Sequence, residues 1–119
     1  MSTTTTHLSN APNGLGIKIS STNSAVQGEL VHTHSLSCEG SLFDEVYLLA
    51  YNSHTSPVVL NIQWGGTTSP DNVINVSIAA SSFLYVVSGM LISGNSTVSA
   101  TASVTNKIVI YGHSISHMK

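Results

Sequence analysis

The feature that most narrows the folds open to this chain is a cadence of short β-prone runs broken by turn residues. From Gly16 onward the runs are GIKIS, AVQGELVHTHSL, DEVYLLAYNS, PVVLNIQW, NVINVSIA, FLYVVS, MLIS, TVSATAS and KIVIYGHSI. Between them lie STNS, CEGSL, SHTS, GGTTSPD, SG, SGNS and VTN, built from the Gly, Asn, Ser and Pro that turns require. Eight or nine short strands at this spacing predict an all-β fold, an antiparallel β-sandwich or a barrel. No window sustains a helical apolar period, and the Ser, Thr, Asn and β-branched residues are poor helix formers. A chain of 119 residues supports one core rather than two. The reading therefore divides it into a flexible polar N-terminal arm, residues 1–13, and a single sandwich domain, residues 14–119.

Alternation assigns faces within the strands, because successive side chains point to opposite sides of a sheet. In PVVLNIQW the residues Val58, Leu60, Ile62 and Trp64 share the inward face, and in NVINVSIA the inward set is Ile74, Val76 and Ile78. VYLLAY is different. Val46, Leu48 and Ala50 point one way, and Tyr47, Leu49 and Tyr51 point the other. A strand apolar on both faces in so small a domain is either central or covered by another subunit, and FLYVVSGMLIS has the same two-sided character. TSPVVLNI and TSPDNVINV echo each other but are too short to be a repeat.

Charge separates the classes of partner. Only 7% of residues are charged, against about 25% in ordinary soluble domains. There are three lysines, no arginine and five acids, too few clustered cations to displace counterions from nucleic acid. Neither a polybasic patch nor a lipid anchor is present to hold the chain on a membrane, and no stretch has the length of a transmembrane helix. A surface with so little charge lacks the repulsion that keeps monomers apart, which favours packing against copies of itself or another protein. The single cysteine, Cys38, forms no internal disulfide, and the opening MSTTTTHLSNAPNG has no apolar signal-peptide core. The expected location is therefore the cytoplasm of manufacture, or a larger particle assembled there.

ELVHTHSLSC is the stretch closest to a chemical motif. On a strand, His32 and His34 share a face with Leu30 and Leu36, and Cys38 follows. A closed zinc site needs four ligands, and no second cluster supplies the remainder. The favoured reading is a pair of imidazoles packed at a sheet face or at a contact between subunits, where protonation near pH 6 would loosen the assembly. Other chemistries fare no better. There is no G-x-S-x-G elbow for a hydrolase. Asp44 and Glu45 are adjacent and point to opposite faces, which does not suit a carboxylate pair. Cys38 has no cationic setting to activate it, and Gly65–Gly66 follows a strand rather than opening a phosphate-binding helix. The expectation is a non-enzymatic protein with no cofactor and no metal.

Over about residues 44 to 115 the strand series EVYLLAYNSHTSPVVLNIQWGG, then NVINVSIAASSFLYVVSGMLISGNSTVSATASVTNKIVIYGHSI, resembles small virion proteins of tailed bacteriophages. The likeness lies in the YN strand end, the IQWGG strand-to-turn, the SGMLISGNSTVSA hairpin series and the closing VIYGHSI strand. Within that class it is most similar to capsid decoration (cement) proteins, commonly trimers with a β-sandwich or jelly-roll body on the capsid lattice. The resemblance implies a structural role on the capsid surface, with the major capsid protein and further copies of the chain, as a homotrimer, for partners. His32, His34, Tyr47, Leu49 and Tyr51 are the expected contacts between subunits. The alternatives are a neck, tail or fibre component, or a carbohydrate-binding module that stacks sugars on Trp64 or on Tyr47, Tyr51, Tyr85 and Tyr111.

Overall fold

Period-two alternation along short strands builds two antiparallel sheets with an aliphatic layer between them. The computed structural model describes residues 2–34 and 41–118. Among these, the strands are β1 (Ser2–His7), β2 (Ile17–Ile19), β3 (Glu29–Thr33), β4 (Ser41–Asn52), β5 (Val58–Trp64), β6 (Val73–Ile78), β7 (Phe83–Ile92), β8 (Thr97–Ala102) and β9 (Ile108–Met118). The first sheet runs β1–β9–β4–β7, with β2 also on β9, and the second runs β3–β8–β5–β6. From β3 onward the chain crosses repeatedly between sheets and all pairings are antiparallel. This order is the double Greek-key wiring of a jelly roll.

The inward faces meet as the alternation requires. Val46, Leu48 and Ala50 of β4, Val58, Leu60 and Ile62 of β5, and Ile108 and Ile110 of β9 are all buried. Among the described residues, the buried hydrophobic core consists of Ala, Val, Leu and Ile, with Trp64 packed against its margin. β-branched side chains suit this layer because they fill the pleat with little loss of rotamer freedom.

The N-terminal segment departs from the expected flexible arm. Ser2–His7 pairs with Met118–His113 of β9, and Ile17–Ile19 pairs with Ile110–Ile108 on the same edge. Together β1 and β2 form one interrupted edge strand. Between them the chain dips inward, burying Leu8 and Ala11 in the core. A polar Thr run gives no apolar signal, but β9 offers a ladder edge that extended backbone satisfies whatever its side chains.

FLYVVS and MLIS, separate runs in the sequence, are one strand. The register of β7 on β4 shifts between Val46 and Tyr47, where Gly89 adopts φ +79°, and a glycine absorbs that bulge without steric cost. Gly112 marks a closer approach. A Cβ there would lie 2.0 Å from the carbonyl oxygen of Tyr47, so only hydrogen fits between β9 and β4.

The outer face of the second sheet is polar and partly roofed. Buried Gln63 accepts hydrogen bonds from Gly28 N–H (2.8 Å) and the Ser99 hydroxyl (2.9 Å), and donates to the Val26 carbonyl (2.8 Å). One amide thus ties the loop before β3 across β5 and β8. Parity with Val59 and Asn61 put Gln63 on the outward face, and the loop accounts for its burial.

Candidate functional site

The histidines singled out in the sequence are internal. His32 is 4% exposed and His34 is 0% exposed. Ser9 N–H donates to His32 Nδ1 (3.0 Å), so that nitrogen carries no proton and Nε2–H donates to Asp44 Oδ2 (2.7 Å). The Ser116 hydroxyl donates to Asp44 Oδ1 (2.9 Å), and Thr33 N–H donates to Ser9 Oγ (2.7 Å). Residues from the N-terminal segment, β3, β4 and β9 are joined in this way. Both imidazole nitrogens are occupied, which leaves His32 no lone pair with which to activate a serine. His34 accepts from Asn95 N–H at ring Nδ1 (3.2 Å), and its backbone N–H donates to the Ser96 carbonyl (3.0 Å), holding the β7–β8 turn.

The expectation that His32 and His34 meet another subunit is therefore corrected: this chain's own atoms enclose both rings. The register of β3 shifts between Leu30 and His32, and β3 ends at Thr33, so the simple shared-face geometry does not hold. Leu36 and Cys38 lie outside the described residues. Among the described residues, no three His, Cys, Asp or Glu side chains converge as a metal would need.

Tyr47, Leu49 and Tyr51 occupy a different setting, the outer face of the first sheet. Directly opposed residues in an antiparallel ladder share a face, so the register defines its rows. Tyr51 lies between Phe83 and Val109, Leu49 between Tyr85 and Tyr111, Tyr47 between Ser88 and His113, and Glu45 between Leu91 and Ile115. Phe43 opposes His117. All four tyrosines and both phenylalanines of the chain stand on this one face, and none enters the core. Phe83 is 65% exposed, Tyr85 68% and Tyr111 42%.

Two stacked pairs stiffen one end of the face. Tyr47 lies on His113, with ring centroids 4.7 Å apart and planes at 9°, and Phe43 lies on His117 at 4.5 Å and 17°. Glu45 accepts from the Tyr47 hydroxyl and pairs with His117 Nε2 at 2.8 Å. The hydrogen bond from Tyr47, then that from His117, hold the Glu45 carboxyl below the usual carboxylate range. The same bond, seen from Tyr47, raises the phenol above its ordinary value, so it stays protonated at neutral pH. Beside this end, Tyr47, Leu49, Tyr85, Ser88, Tyr111, Gly112 and His113 line an open groove of about 280 Å³.

Sequence reasoning found the β4 part of this face from VYLLAY. It grouped Tyr85 and Tyr111 with Tyr47 and Tyr51 only as a sugar-stacking alternative and missed Phe83, His113 and His117 as members, because only strand order puts β7 and β9 on either side of β4. No protein-family model, curated protein or solved structure matches this chain.

Proposed function

We propose that this chain is a non-enzymatic structural protein that acts by protein–protein packing. The observation that carries the reading is the placement of every Phe and Tyr on one outer sheet face over an aliphatic core. Large rings normally serve a core, where burying them contributes most. Contiguous exposed aromatic surface instead characterises contact sites, where Tyr and Phe are enriched. The proposed setting is the surface of a virus capsid, with the chain as a decoration protein on a lattice of major capsid protein. The strand cadence supports this, and so does the jelly-roll wiring, which is common in capsid proteins; the second argument is fold analogy alone. Bridging neighbouring shell subunits would stabilise the shell by adding buried area at each repeat.

Mass spectrometry of purified virus particles from the source that encodes this chain tests the setting. On the order of hundreds of copies per particle fits a lattice protein, and about a dozen or fewer fits a neck or tail part. Absence from every particle would overturn the virion reading. A second reading, carbohydrate binding, is favoured by one observation: Tyr47, Tyr85 and Tyr111 border the groove, and jelly rolls also serve as lectins. Binding on a glycan array that is lost in Tyr85→Ala would move the conclusion there.

A further inference from the structure

Resting on the reading of the first sheet's outer face as a contact surface, we propose that its occupant is a second copy of this chain, packed face to face across a two-fold axis. Size is the first argument. With strands about 4.8 Å apart and a rise of about 3.4 Å per residue, β9, β4 and β7 offer a flat footprint of roughly 500 Å². Side-chain relief and the flanking β1 and β2 bring this towards the ~800 Å² per partner of a stable pair.

Charge is the second argument. Opposite Val109 the margin carries Lys18 of β2; within the rows the one carboxylate is Glu45, already holding Tyr47 and His117, and the imidazoles are His113 and His117, with His7 of β1 opposite His113. Apposing two copies of so neutral a face brings little like-charge repulsion, and a strongly charged partner would find no complement on it.

Shape is the third. The face carries a projection and a recess of matching chemistry. Phe83 stands 65% exposed at the start of β7, while the neighbouring rows surround the groove of about 280 Å³. A benzene-sized ring needs a cavity of roughly 150 Å³. A face bearing both knob and hole is self-complementary, and an isologous two-fold contact uses each twice. The two sheets would stack about 10 Å apart, with strand directions within about 30° of each other.

Sedimentation equilibrium on the full chain at about 10 to 100 µM tests this, comparing wild type with Phe83→Asp, Tyr111→Asp and Val59→Asp. Val59 lies on the exposed face of the second sheet and serves as the control. The expected result is a dimer for wild type and Val59→Asp. Phe83→Asp and Tyr111→Asp should each weaken dimerisation at least about tenfold, with cooperative melting of the dilute proteins retained. Phe83→Ser replaces Phe83→Asp should the latter not fold. A monomeric or trimeric wild type, or dimers kept by both face variants, would overturn the two-fold pairing. If wild type is monomeric and Tyr111→Asp also abolishes capsid binding, the second-copy occupant fails while the contact-surface reading stands. If it is monomeric and Tyr111→Asp leaves capsid binding unchanged, both fail.

Discussion

Replacing Tyr47 by Phe removes the hydroxyl that donates to Glu45 and leaves the ring to stack on His113. Because the Glu45 carboxyl is held below its usual 4.5, its contribution is present above that value and fades as pH falls through the lowered one. Tyr47 is raised above 10.0, so its contribution is present below that value and is lost as pH rises through the raised one. Tyr47→Phe should therefore be less stable than wild type near neutrality, with the difference shrinking in acid and in strong alkali. Urea denaturation at about pH 7 and about pH 2 checks this, and an equal difference at both would contradict the assignment. Ser114 gives the opposite kind of test. Its buried hydroxyl has no hydrogen-bond partner among the described residues, so Ser114→Ala should be neutral or stabilising by up to about 1 kcal/mol in the same assay.

Among the elements, β4 and β9 form the spine of the first sheet, pairing from Phe43–His117 to Asn52–Ile108. Their approach at Gly112 leaves no room for a methyl group. Gly112→Ala should cost about 3 kcal/mol by forcing the two strands apart, read as a lowered denaturation midpoint. A variant as stable as wild type would show that the ladder relaxes freely. Most element positions were legible in the sequence, because alternation in β4, β5 and β9 and the Gly/Asn/Ser turns are local signals. β1 was not, since STTTTH owes its strand to the free edge of β9. The joining of FLYVVS to MLIS was hidden as well. A glycine that ends a strand and one that bulges it look alike until the partner strand is known.

For the whole molecule, the two outer faces differ in kind. The second sheet shows Asn61, Asn75, Ser77 and a loop tied down by Gln63, and the first shows aromatic rings with Glu45 and Lys18. Association through the aromatic face should change little with sodium chloride between about 0.05 and 0.5 M, because few charges are there to be screened. Sulfate at matched ionic strength should strengthen it, as excluded salts favour apolar burial. Dissociation by sodium chloride, followed by light scattering, would contradict a contact dominated by apolar burial.

Local pattern alone determined that this chain forms strands, that they pair into a sandwich, and that β4 carries apolar residues on both sides. Those properties depend on period and turn chemistry, which neighbouring residues encode. Tertiary structure decided what the residues of interest do. It enclosed His32 with Asp44, Ser9 and Ser116, partners far from it in sequence, and so made a suspected contact into an internal tie. It also set β7 and β9 on either side of β4, gathering six scattered rings into one surface. Strand order causes both results, and strand order is fixed only when the two sheets close over their shared core.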